Sequence, residues 1–287
     1  MSFLDPITRL VADPPPAYAF EISEAGIAFS RGHDTDFRAF EEGVLTVSPS
    51  RDNVQKPDSF ATHVASLMPA VNRAKRRPAA LILPDYAARV QVLDFDQFPA
   101  AADEQLALIK FRVKKTVPFD VDAAVVSYHA QPSGKRVDVV AAIMALEIVA
   151  RYEAPFRAAG FQPGLITTSS LAALELAPSA GVTVIVKLTG GVLNVMVQDG
   201  GQLKLARCVA LEAADLDEVL AVLHPTLAFV EDELKARPDR ILFFGHAAAY
   251  PLLSQELNLP VEPAQSRFGS PGEFNAGLLG YMQGAAQ

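Results

Sequence analysis

The 287 residues hold one cysteine and no tryptophan. A single thiol excludes an intrachain disulfide and any multi-cysteine metal site. Cys208 falls in the alternating stretch Leu203-Lys204-Leu205-Ala206-Arg207-Cys208-Val209, which reads as a strand with a buried, inert thiol. Positive charge is also scarce: 25 Lys and Arg stand against 33 Asp and Glu, for a net charge of −8. That balance disfavours nucleic acid as a partner, because phosphate binding needs a basic surface. The local exception is Arg73, Lys75, Arg76 and Arg77, which read as a solvated helix end whose cations suit the helix dipole. Long apolar runs are missing, since no uncharged apolar stretch reaches the ~18 residues of a membrane span. The opening MSFLDPITRLVADPPPAYAF lacks a signal peptide's continuous apolar run. Phe3, Leu4, Ile7, Leu10 and Val11 there read as a loosely packed tail. The expectation is a soluble, cytoplasmic chain.

Catalytic constellations are equally thin. Histidines 33, 63, 129, 224 and 246 are scattered with no i,i+4 pair, so no metal ligand is assigned. Ser169-Ser170 lacks the Gly-x-Ser-x-Gly elbow of a nucleophile and reads as a cap for a helix over Leu171 to Leu176. Asp94 and Asp96 alternate with Phe95, which puts both acids on one solvated strand face. No catalytic residue follows from any of these.

What the chain does have is an ordinary globular composition, half hydrophobic and a fifth charged, long enough for one large domain or two lobes. After Pro14-Pro15-Pro16, Tyr18 to Ile22 and Gly26 to Ser30 read as two strands, and Gly43 to Val47 as a third. A helix with Phe60, Val64, Leu67, Met68 and Val71 on one face follows, capped by Asp58-Ser59, and then a strand over Ala79 to Leu83. The second half repeats that order. Val182 to Val186, Val192 to Val197 and the stretch from Leu203 are strands joined at Gly190-Gly191 and Asp199-Gly200-Gly201. A helical stripe through Leu216, Leu220, Leu223, Leu227, Val230 and Leu234 follows, which Pro225 should kink or divide, and then the strand Arg240 to Phe244.

Between the halves lies an α+β unit. It comprises a helix over Asp103 to Lys115, strands Val125 to His129 and Val137 to Ala141 around Pro132-Ser133-Gly134, and a helix from Leu146 that stops at Gly160. The expected division is 17–99 for the first lobe, 100–162 for the insert and 163–287 for the second lobe.

Three strands, a helix and a strand, twice over with an insert, is the actin/Hsp70-like (ribonuclease H-like) α/β pattern. Three stretches resemble the PilM family, cytoplasmic actin-like proteins of type IV pilus machines related to FtsA and to the cytoplasmic part of GspL. They are Leu83-Pro84-Asp85-Tyr86-Ala87-Ala88-Arg89-Val90, Ile109 to Asp120 with its Lys-Lys-x-Val-Pro-Phe run, and Tyr152 to Pro163 leading to Ser169-Ser170-Leu171-Ala172. Phe274-Asn275-Ala276-Gly277-Leu278-Leu279-Gly280 also fits. The resemblance implies two facing hairpin turns that hold ATP phosphates and a metal.

By that resemblance the nucleotide-facing residues are Glu21, Ser23, Lys187, Thr189, Gly190, Gly191, Gly245 and His246. They depart from the family pattern: Glu21 and Ser23 replace an Asp and a Gly, and Lys187 stands where an acid should help hold metal. The second-lobe insert has also shrunk, with Arg207 leading through Leu211 and Asp215 into the next helix. Two readings of the cleft follow. One is an assembly scaffold without turnover, with or without ATP; the other is an active Mg-ATPase using Glu21 and the Thr189-Gly190-Gly191 turn. A GspL-like cytoplasmic module is a third reading. For the scaffold, the resemblance implies binding to the cytoplasmic N-terminal peptide of a PilN-like membrane protein, at the inner face of the membrane, with self-association possible. Leu83, Pro84, Val92, Phe111, Val117 and Phe119 are the candidate peptide contacts, between the first lobe and the insert.

Overall fold

The computed structural model describes residues 15–67, 77–133, 136–177, 180–245 and 249–286. Phe3, Leu4, Ile7, Leu10, Val11, Met68, Val71, Arg73, Lys75, Arg76, Gly134 and His246 lie outside them.

Two five-stranded sheets have the same topology. In the first, β1 (Tyr18–Ser23), β2 (Gly26–Arg31) and β3 (Asp34–Ala39) form antiparallel hairpins. Beyond β1, β4 (Arg77–Leu83) and β8 (Phe161–Thr168) add in parallel, giving the order β3-β2-β1-β4-β8. In the second, β9 (Val182–Thr189), β10 (Val192–Asp199) and β11 (Gln202–Ala210) are the hairpins. There β12 (Arg240–Phe244) and β13 (Val261–Pro263) are the parallel strands, in the order β11-β10-β9-β12-β13. The duplication read from the sequence is thus present strand for strand.

Strand alternation sorts the side chains into layers. Phe20, Ile22, Ile27, Leu81 and Leu83 face outward from the first sheet onto α1 (Pro57–Ser66) and α3 (Leu146–Ala158), which contribute Phe60, Val64, Tyr152 and Phe156. Phe20 and Phe156 have ring centroids 4.9 Å apart, as do Phe20 and Phe161. The opposite face is lined by the small residues Ala19, Ala28 and Ala80 with Ile82. It covers α4 (Ser169–Ala173) and α7 (Ala276–Ala285), which share a core with Ile185, Met196, Leu242 and Phe244 of the second sheet. The far side of that sheet, with Val184, Val186, Val195 and Phe243, packs on α5 (Leu216–Glu233) and α6 (Ala249–Leu257). Helices, sheet, helices, sheet, helices: one continuous stack joins the halves.

In the centre of that stack α7 meets α4 nearly backbone to backbone. A Cβ on Gly277 would come within 2.8 Å of the Ser169 Cα, and one on Gly280 within 2.1 Å of the Ala172 carbonyl oxygen. Only glycine fits either position.

The insert is a three-stranded sheet, β5 (Arg89–Phe95), β7 (Arg136–Ala145) and β6 (Ala124–Ser133), covered by α2 (Ala102–Val113) through Ile109 and Val113. Its tip reaches the second lobe. The Gln131 side-chain amide donates to the Leu203 carbonyl and accepts from the Leu203 N–H, both at 2.9 Å. Lys204 pairs with Asp138 beside it at 2.8 Å.

Several local expectations are corrected. The third strand is Asp34–Ala39, exposed throughout, while Leu45 makes an isolated bridge to Val54. A polar edge strand offers no hydrophobic alternation, so the apolar Gly43 to Val47 drew the assignment. Lys56, not Asp58-Ser59, occupies the N-cap of α1, with Pro57 in its first turn, and the Ser59 hydroxyl donates to Glu41 instead. Of the two readings of Pro225, the opening of a second helix is excluded: Pro225 lies inside the single helix α5, entered by an Asp215 cap on the Glu218 N–H. The insert sheet begins at Arg89, α3 packs into the first lobe's core, and β8 belongs to the first sheet. Cys208 lies on β11 half-buried rather than buried, and desolvation there still raises its thiol pKa.

Candidate functional site

The duplicated hairpins turn toward each other across the interface of the two lobes. In β1 and β2 a two-residue loop, Glu24-Ala25, joins Ser23 to Gly26. In β9 and β10 the equivalent loop, Gly190-Gly191, joins Thr189 to Val192. Counting back from each loop, Glu21 and Lys187 hold the same position, as do Ser23 and Thr189. Alternation points Glu21 and Lys187 to the inner face, and they are only 2% and 3% exposed.

These charges are not left bare. One Glu21 carboxylate oxygen accepts from the Ser169 hydroxyl, and the other accepts from the Leu278 N–H in the first turn of α7 at 2.7 Å. Burial pushes the Glu21 pKa up, while Lys187 and these two hydrogen bonds pull it back. Asp85, in the 3₁₀ turn after β4, accepts from the Ser170 N–H and the Ser170 hydroxyl, each at 2.7 Å. The Lys187 ammonium lies 3.5 Å from Asp85 Oδ2 and donates to the Thr189 hydroxyl. Thr189 in turn donates to the Glu273 carbonyl at 3.1 Å, and the Glu273 carboxylate takes the Gly190 N–H at 2.6 Å.

A cavity of about 160 Å³ remains between the loops, lined by Glu21, Ser23, Glu24, Asp85, Lys187 and Glu273 among polar groups, with Tyr86 and Phe274 among its apolar walls. Seven of the eight residues assigned to the cleft from sequence are described. Glu21, Ser23, Lys187, Thr189, Gly190 and Gly191 line this cavity, and Gly245 ends β12 outside its lining. Among the described residues no cluster of three or more His, Cys, Asp or Glu side chains is arranged to hold a metal ion. Sequence reasoning missed four participants. Ser169 and Ser170 bond carboxylates rather than capping α4, whose N-cap is Thr168; Asp85 sits in a stretch that carries the family resemblance but was given no role in the cleft, and Glu273 carries no motif of its own.

A second opening lies between the first lobe and the insert. β8 ends the first sheet and β6 ends the insert sheet, and the gap between them is lined by Ala88, Val125, Met144, Ile166, Thr168 and Leu171. Its volume is about 290 Å³. Val125 and Ile166 are 40% and 36% exposed, unusual for apolar residues on strands. The six residues assigned to partner binding from sequence lie elsewhere. Leu83 is wholly buried in the first core, Pro84 lines the inter-lobe cavity, and Val92 packs against the central core. Val117 and Phe119 pack on the insert core, while Phe111 projects from α2, 76% exposed. Exposed apolar residues on two strand edges are the signal that would have found the opening, and edges are not visible in a sequence.

No protein-family model and no curated protein matches the sequence. Solved structures do. PilM in a PilM–PilN type IV pilus biogenesis complex superposes with a TM-score of 0.76 at 16% identity, over 96% of this chain and 100% of that one. A protein of unknown function with the actin-like ATPase fold from Bacteroides thetaiotaomicron follows at TM-score 0.52 and 12% identity, covering 91% and 94%. The cytoplasmic domain of EpsL, an inner-membrane component of the Vibrio cholerae type II secretion system, gives 0.49 at 14% identity, covering 94% and 93%, too low to weigh. The chain has the actin-like α/β fold, in the PilM-like form that carries the extra sheet between the lobes.

Proposed function

We propose that this actin-like chain is a cytoplasmic scaffold of a type IV pilus or related secretion machine, and that it binds the cytoplasmic N-terminal peptide of a PilN-like membrane protein. The observation that carries the reading is the end-to-end likeness to the PilM of a PilM–PilN complex, insert included. Among the described residues no helix is long and apolar enough to cross a membrane, in keeping with a component that meets the membrane through a partner.

The opening between β6 and β8 suits an extended peptide. Two strand edges offer backbone donors and acceptors, and Val125, Met144, Ile166 and Leu171 offer shallow apolar pockets for alternate side chains. Of the contacts expected from sequence, Phe111 is the most exposed, while Pro84, Val92, Val117 and Phe119 are half-buried and lie outside the lining of this opening. Scaffold binding of this kind needs no chemistry in the cleft.

Isothermal titration of a synthetic PilN-type N-terminal peptide into the folded protein tests the proposal. Saturable binding that Ile166→Asp and Val125→Asp each weaken by about tenfold or more is the expected outcome, since a buried charge disrupts an apolar pocket. A folded protein that takes up no such peptide refutes it.

A further inference from the structure

The two lobes carry opposite charges at the equivalent buried positions Glu21 and Lys187, inside the cleft between them. Had both hairpins kept an acid there, three carboxylates, at 21, 85 and 187, would face one another in a site almost closed to water. Like charges so placed repel, and are relieved either by protonating one of them or by a cation between them. The chain supplies one covalently. Among the described residues that line the cavity, Lys187 is the single cation, and its ammonium comes from the second lobe to meet Asp85 of the first.

We infer that Lys187 is a resident cation, performing between the lobes the neutralisation that a bound divalent metal ion would otherwise perform, so that the cleft stays closed with neither metal nor nucleotide. The surrounding groups are arranged for that role. Both Glu21 oxygens and both Asp85 oxygens already accept hydrogen bonds from Ser169, Leu278 and Ser170, which holds them still around the ammonium. The Gly190 N–H, the backbone donor a phosphate would seek, is taken by the Glu273 carboxylate. A triphosphate entering the cavity would meet Glu21, Glu24, Asp85 and Glu273 against one ammonium that is already paired. The inference stands apart from the identity of any partner, because it concerns only the cleft.

Thermal unfolding of the whole chain reads it out. Wild-type protein is expected to show no shift with millimolar MnCl₂ or Mg-ATP, since a ligand that binds the native state must raise the midpoint. Lys187→Asp places a third carboxylate with Glu21 and Asp85, so its midpoint should rise saturably with MnCl₂, with an apparent affinity about tenfold or more above wild type. Should that variant fold only when MnCl₂ is present, the same conclusion follows. Should it not fold at all, the pair Lys187→Met and Lys187→Met/Asp85→Asn decides: the double variant, with the charge imbalance relieved, is expected to be the more stable. A wild-type midpoint that rises with Mg-ATP or MnCl₂, a folded Lys187→Asp protein indifferent to MnCl₂, or a double variant less stable than the single one would each overturn the inference.

Discussion

The lobes share a strand order, a hairpin loop length and a pair of inward-facing positions, yet they use them differently. In the first lobe Glu21 leans on its own side, bonded to Ser169 and to the start of α7. In the second, Lys187 reaches out to the other lobe's Asp85. The links from hairpin to helix differ as well. Seventeen residues, 40–56, separate β3 from α1, whereas only five, 211–215, separate β11 from α5. A carboxylate nevertheless ties each link to its helix: Glu41 to Ser59 and His63 in the first lobe, and Glu218 to the N–H groups of Glu212, Ala213 and Ala214 in the second. Duplication therefore fixed the backbone frame, while the polar contacts diverged freely within it.

If the hairpin positions were interchangeable, exchanging their charges would be harmless. Lys187→Glu alone should cost about 3–5 kcal/mol, the usual consequence of removing one member of a buried pair. The exchange Glu21→Lys/Lys187→Glu should recover little of that, because a cation at position 21 would face the Leu278 N–H at the positive end of α7. Urea unfolding of the three proteins checks this, and full recovery in the double variant would mean that the lobes are functionally symmetric after all. A middling effect is expected in the helix pair between the sheets. Gly280→Ala, with its Cβ driven toward the Ala172 carbonyl, should cost about 1–3 kcal/mol by the same measurement, as overpacking in a tight core does.

The smallest effect compares the two links. Hydrogen bonds from Ser59 and then His63 hold the Glu41 carboxyl down at about 2, against 4.5 without them. A depressed acid adds stability that is complete above pH 4.5 and fades as the pH falls toward 2. Glu41→Gln should flatten the acid limb of a stability–pH curve within that window by lowering stability slightly above pH 4.5 while leaving it unchanged near pH 2, a small effect given how exposed the site is.

Much of the frame was legible because strands and helices that bury apolar stripes announce their period. β1, β2, β9, β10, β12, α3 and α5 all came through with boundaries close to those observed. β3 did not, since Asp34-Thr35-Asp36-Phe37-Arg38-Ala39 buries nothing and owes its strand to pairing with β2. The cleft was half legible. Glu21, Lys187 and the Gly190-Gly191 loop are picked out by the family resemblance, but Ser169, Ser170, Asp85 and Glu273 reach the site through long-range folding. A serine pair before a helix looks like a cap until the helix is seen to start beside two buried carboxylates.

The amide of Gln131 imitates a piece of backbone, and its consequence is mechanical. The insert is continuous in sequence with the first lobe and is hydrogen-bonded at its tip to Leu203 of the second, while the lobes meet each other through Lys187 and α7. Three bodies joined pairwise at three places form a truss, and a truss has no soft hinge. A load applied along the β6 edge is passed to both lobes together.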